Sequence, residues 1–212
     1  MRRLLAFILA FTMLSGTIAF AESEDPKYTR YKNKKDEAWL WSELSKHSPS
    51  DYITAGILSY FWRESQYRSD SLSGWATMKV EQNMDICSWL LKKTDPKLRS
   101  GKSRKFFIET VRECGGYGLG QWHSLGYLES LYDYAQEYGT SIGDARMQCA
   151  FIFYSLKKDK ELWHKLKKCK DAEKAGRLIS IYYDGSQEAA PYMGYKAGKL
   201  YEKYHEETES AA

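Results

Sequence analysis

The chain is poor in the residues that most often carry chemistry on their own: among 212 residues there are four Pro, four Cys and four His. The histidines, at positions 47, 123, 164 and 205, are scattered, and no CxxC or HxxxH spacing occurs. The pattern of a zinc site is therefore missing, and no metal or other cofactor is expected. No alternating strand pattern of useful length appears, nor an internal repeat, nor, beyond the N-terminus, a second apolar run fit to span a bilayer. Charge of one sign is lacking too. Thirty-two Lys and Arg against 28 Asp and Glu leave +4, well short of a nucleic-acid binder's surplus, so no nucleic-acid partner is expected. What is present is apolar and aromatic: 43% hydrophobic residues, with seven Trp and 17 Tyr. That composition excludes a disordered chain and, at this length, supplies one compact core. Aromatic residues in such numbers also line sugar-binding clefts, so composition leaves that possibility open.

The one long apolar run opens the chain. Met1-Arg2-Arg3 is a positively charged start, Leu4 to Leu14 is apolar, and Ala19-Phe20-Ala21 before Glu22 has the small-x-small form of a signal-peptidase site. Residues 1–21 are read as a removed secretion signal, the alternative being a retained membrane anchor. The mature chain is expected to be secreted, to meet the membrane only in transit, and to be a monomer. Residues 22–35 are charged and aperiodic, an exposed leader; 36–206 form the domain, and 207–212 a short tail. In an oxidising compartment the even set Cys87, Cys114, Cys149 and Cys169 reads as two disulfides, with three connectivities open. Pairing Cys87 with Cys114 and Cys149 with Cys169 is preferred, because each pair closes a local loop.

Apolar spacing predicts a mainly α fold. Ala38, Trp39, Trp41 and Leu44 suit a short helix over Glu37 to Lys46, and Ser48-Pro49-Ser50-Asp51 supplies a stop and a new N-cap. A second helix follows from Asp51 to about Gln66. Two further pieces are expected near Val80 to Lys92 and Arg104 to Cys114. Three later series repeat at three and four residues: Leu125 to Ala135, Met147 to Tyr154, and Ala172 to Tyr182.

One carboxylate falls on the wrong face. Along the helix from Asp51, Ile53, Ile57 and Phe61 share a stripe, and Glu64 projects into it while Arg63 points elsewhere. Burial penalises the charged form and raises the pKa, as a general acid near neutral pH requires. The alternative is a helix-end Glu paired with Arg63 or Arg68. Further on, Gly115-Gly116-Tyr117-Gly118-Leu119-Gly120-Gln121-Trp122 packs four glycines around two aromatics and an amide, ahead of a helix. Glycines let a backbone approach a ligand, Tyr117 and Trp122 offer stacking faces, and Gln121 offers a donor and an acceptor. Its alternative is a turn with core aromatics. A phosphate loop is excluded, because no strand precedes the segment.

Together these elements resemble the phage tail lysozyme domain. The family's AGILGN…ESGF helix is matched by Ala55-Gly56-Ile57-Leu58-Ser59 leading to Glu64-Ser65-Gln66-Tyr67, and its GYGLxQWT motif by Gly116 to Trp122. Gly139 to Asp144, then Met147-Gln148, is similar to the segment after that motif, and Trp163 and the stretch from Tyr182-Tyr183 to Tyr204 fit the later helices. The resemblance covers about residues 36–205. It implies a lysozyme-like helical domain that cleaves the β-1,4 bond between N-acetylmuramic acid and N-acetylglucosamine in peptidoglycan glycan strands. Glu64 would be the catalytic acid; Ser65, Tyr117, Gly118, Gln121 and Trp122 would contact substrate. The chain departs from the pattern at His123, where the family has Thr, and in the long segment Thr77 to Glu113. A second carboxylate is open among Asp70, Asp85 and Glu113. The same pairing of motifs is similar to goose-type lysozymes and lytic transglycosylases, in which a lone Glu can suffice. A non-catalytic wall-binding module, or an adhesin held by its N-terminal segment, are the readings from other classes.

Overall fold

The computed structural model describes residues 35–70, 101–185 and 187–210. The signal and most of the leader, the helix expected near Val80 to Lys92, and with it Asp85 and Cys87, lie outside the described residues. Among those described, the fold is helical, as the apolar spacing predicts: α1 (Glu37–Ser45), α2 (Asp51–Ser65), α3 (Gly101–Cys114), α4 (Leu125–Tyr138), α5 (Ala145–Lys158), α6 (Lys160–Lys167), α7 (Ala172–Asp184) and α8 (Ala190–Ser210).

Aspartates start four of these helices by satisfying amides that have no partner within the helix. Asp36 accepts from the amides of Ala38 and Trp39, Asp144 from Met147, Asp159 from Leu162, and Asp171 from Lys174. The Asp159 cap splits what would be one long helix into α5 and α6. Helices α4 and α7 end on Gly139 and Gly185, both left-handed.

The core is organised around α2. Every residue from Ile53 to Phe61 is buried, so this helix has no solvent face over its middle. It packs against α1, α7 and α8, and α7 packs along α8. Gly56 sets the crossing with α7, because a Cβ there would lie 2.9 Å from Ile179 Cδ1 and 3.0 Å from the Ala175 backbone. A side chain at that point would push apart the helices that bring Tyr60 and Tyr183 into a stack.

The cysteine expectation needs correction. Cys149 and Cys169 are free and buried, so the Cys149–Cys169 bridge is not formed. Closeness in sequence is not enough, because a bridge needs two Cβ atoms within about 4.5 Å and facing one another. Here Cys149 belongs to the packed interior of α5, while the Cys169 thiol donates to Lys165 O at 3.5 Å, one turn back. Burial pushes both thiols up from their ordinary value. The other expected pair, Cys87 with the Cys114 side chain, lies outside the described residues.

Candidate active site

Glu64 occupies the last turn of α2, where that helix emerges from the core. Its side chain keeps 19% of its accessible surface. Burial raises its pKa, and the positive charges of Arg63 and His123 oppose that rise. The Arg63 contact is loose, Nη1 to Oε1 at 3.8 Å, and the guanidinium is a third exposed. The bland reading of Glu64, a surface ion pair, thus describes only a weak contact. Immediately after the helix, Gln66 and Tyr67 take left-handed backbone, φ 50° and 69°. This double turn reverses the chain and brings buried Ser69 and Asp70 against the body of the protein.

The glycine-aromatic segment forms a tight hairpin. Tyr117 and Trp122 exchange two backbone hydrogen bonds of 3.1 Å, and Gly118 and Gln121 between them have positive φ. Gln148 on α5 holds the hairpin in place. Its Oε1 accepts from Leu119 N at 2.8 Å, and its Nε2 donates to Ser69 O and Ile142 O, both at 2.7 Å. Gly118 is required here, because a Cβ would meet Gln148 Oε1 at 2.6 Å. One buried amide therefore ties the chain just after Glu64 to the hairpin.

The structure places both expected stacking faces inside the protein. Tyr117 is fully buried and Trp122 is 2% exposed. The Tyr117 ring meets Phe107 edge-on, and Trp122 lies edge-on between Phe61 and Phe151. Hydrophobic burial of two large rings wins over solvent presentation, and these residues hold the hairpin to the core. Gln121 is also buried, with Nε2 donating to Gly118 O at 2.8 Å, and the Ser65 hydroxyl donates back to Phe61 O at 3.0 Å.

Other aromatic residues gather around Tyr60 and Tyr183. Tyr60, one turn earlier on the same face of α2, donates its phenol hydrogen to Gly120 O at 2.9 Å and stacks on Tyr183 at 5.0 Å. Tyr127 and Tyr182 pack their half-buried rings on Tyr183, at 5.6 and 5.0 Å. Tyr183 itself is anchored to Ser155 through its hydroxyl. Their signal in the sequence was only the adjacent Tyr182-Tyr183 pair. His123, exposed and directly after the hairpin, is near enough for its charge to act on Glu64. Of the candidate second carboxylates, Asp70 is buried six residues after Glu64, and Glu113 is exposed on α3. Among the described residues, no group of three or more His, Cys, Asp or Glu is placed to hold a metal.

A family model for phage tail lysozyme matches residues 32–204. The chain belongs to the phage tail lysozyme family. A lysozyme-like activity on peptidoglycan goes with that membership, and the match spans both the α2 end and the Gly116 to Trp122 hairpin. No curated protein and no solved structure matches the chain.

Proposed function

We propose that the protein is a secreted muramidase, in which Glu64 protonates the glycosidic oxygen between N-acetylmuramic acid and N-acetylglucosamine. The observation that carries this reading is the position of Glu64: a carboxyl at the mouth of the core, kept partly accessible, with burial raising its pKa. A proton retained toward neutral pH is what protonation of the leaving oxygen needs. The C–O bond then breaks as positive charge spreads over the sugar ring, and water completes hydrolysis. The half-buried Tyr127 and Tyr182 rings take the stacking role that Tyr117 and Trp122, held in the core, leave unfilled.

A second reading, lytic transglycosylation, is favoured by one observation. Among the described residues, the charges that act on Glu64 are cationic, from Arg63 and His123. Hydrolysis normally recruits a second carboxylate, whereas attack by the substrate's own 6-hydroxyl can run on one acid. Mass spectrometry of muropeptides released by the mature chain separates the two: reducing N-acetylmuramic ends mark hydrolysis, and 1,6-anhydro ends, lighter by one water, mark transglycosylation. Release of neither product, with wall binding retained, would leave a binding module. Export through residues 1–21 is checked by the N-terminal sequence of protein recovered from the culture medium.

A further inference from the structure

A groove of about 560 Å³ lies between the N-terminal edge of α1 and the end of α2, lined by Lys35, Asp36, Glu37, Trp62, Gln66 and Tyr67. It is not the Glu64 site. Trp62 and Glu64 are two positions apart on one helix and therefore point about 200° from each other. The volume falls within the usual range for small-molecule sites, roughly 300–1,000 Å³.

Its two carboxylates are already engaged. Asp36 caps α1, and Glu37 accepts from Tyr67 Oη at 2.8 Å, Lys203 Nζ at 2.9 Å and Tyr204 Oη at 3.2 Å. Two ammonium groups stand over aromatic rings, and the charge of one of them, Lys196, also acts on Glu37. Lys196 reaches over the Trp62 ring at 4.8 Å and Lys35 over the Trp39 ring at 5.5 Å, and neither makes an ion pair among the described residues. Tyr192, 51% exposed, tilts against Trp62 at 6.1 Å, and Tyr195, 56% exposed, lies one turn further along α8. Gln66 is exposed beside them.

We propose that this groove is a second saccharide site, separate from the Glu64 site, that takes an acidic N-acetylated amino sugar. A pyranose ring has an apolar face that packs on Trp62 and Tyr192. Its acetamido group is matched by the Gln66 amide, and a carboxylate on the ring by the ammonium groups of Lys196 and Lys35. Neutral sugar would fill the aromatic part of the site and bring no anion to the two ammonium groups. The wall sugar that carries a carboxyl, on its lactyl ether, is N-acetylmuramic acid, and that carboxyl is a free carboxylate where no stem peptide is attached, so the site would take peptide-free glycan or its fragments; the choice of ligand rests on the peptidoglycan reading above, and binding at Trp62 does not require Glu64 to act.

The test is a titration of the ¹⁵N-labelled full chain, following the Trp62 indole N–H, assigned with Trp62→Phe. N-acetylmuramic acid should shift that signal saturably. N-acetylglucosamine, which lacks the carboxylate, should bind about three- to fivefold more weakly, as exposed charge pairs allow. Lys196→Ala with Lys35→Ala should abolish the preference while leaving the spectrum otherwise folded, which keeps the test valid even if truncating Trp62 disturbs packing. Glu64→Gln should show the same shift as the parent protein, so an inactive catalytic site and an absent groove site give different results. Equal binding of the two sugars, a preference that survives loss of both lysines, or no shift at Trp62 would each overturn the proposal.

Discussion

Tyr60 and Gly120 are 60 residues apart in sequence, yet the Tyr60 hydroxyl donates to the Gly120 carbonyl at 2.9 Å in the buried interior. This bond fastens the helix that carries Glu64 to the hairpin that precedes His123. Tyr60→Phe keeps the ring stack with Tyr183 and strands the carbonyl, at a cost of about 1–3 kcal/mol. For a chain of this size the melting temperature should fall by roughly 2–4 °C per kcal/mol. Wall clearing should fall further than the melting curve accounts for, because hairpin and acid lose their fixed relation. Parent-like clearing in a variant with a lowered melting temperature would show that the bond is structural only.

Gln148 has the larger structural task, since one side chain serves Leu119 N, Ser69 O and Ile142 O from a fully buried position. Gln148→Leu fills similar space and leaves three buried backbone groups unsatisfied, each costing about 1–3 kcal/mol. Against a total of about 5–15 kcal/mol, the variant should be unfolded or nearly so at 37 °C. Gln148→Glu retains an acceptor for Leu119 and loses both donated bonds, so it should fall between. Circular dichroism melts of the three proteins check that order.

Glu64 should be indispensable, and its ionisation should govern activity against pH. Glu64→Gln removes the titrating proton at nearly constant shape, and about 10² to 10⁴ of the rate should go with it. Because burial raises the pKa, the acid stays protonated above the usual carboxylate range, and activity should decline as pH rises through the shifted value. Arg63 lowers that value. Arg63→Gln should therefore move the falling limb to higher pH, as a profile of clearing rate will read. Stability runs in the same sense. A carboxyl whose folded pKa lies above its unfolded one favours folding less as pH rises between the two, so Glu64→Gln should be at least as stable as the parent at neutral pH.

Much of the fold was legible because helices declare themselves through local rules. The apolar spacing at three and four residues found α4, α5 and α7, and Asp51 and the end of α2 were placed within a residue. Helix α6 has no apolar series long enough to stand out in the sequence, since it is only eight residues long and its start is marked by a single cap, Asp159. Glu64 stood out since a charge on an apolar stripe is a one-dimensional anomaly. The role of Tyr117 and Trp122 was not legible in that way. A Trp beside glycines reads equally as a sugar platform or a core anchor, and only packing against Phe61, Phe107 and Phe151 decides. Gln148 and Tyr60 were hidden for a related reason: their partners are backbone atoms brought near only by the fold.

The free thiols give a chemical prediction. Denatured, unreduced protein should expose both Cys149 and Cys169 to labelling, as judged by peptide mapping. In the native protein Cys149 should label slowly, because it is fully buried and burial disfavours its thiolate, the reactive form. Recovery of a peptide in which the two are joined would contradict the arrangement of α5 and the segment after α6.

The last prediction separates rings that hold the fold from rings proposed to meet the sugar. Trp122 is 2% exposed and lies edge-on to Phe61 and Phe151, so Trp122→Ala opens a cavity and should cost about 3–5 kcal/mol. At roughly 2–4 °C per kcal/mol, the melting temperature should drop by about 6–20 °C, and activity should disappear only as the folded fraction does. Tyr127 and Tyr182 are half-buried, and their rings rest on Tyr183. Tyr182→Ala should change the melt much less, yet weaken binding of chitin oligosaccharides, because the lost surface is the part that substrate would cover. Calorimetric titration beside thermal melts of both variants gives the comparison. If Trp122→Ala folds normally and loses oligosaccharide binding while Tyr182→Ala binds as the parent does, the sugar meets the hairpin and not the tyrosines, and the hairpin must open in solution to admit it.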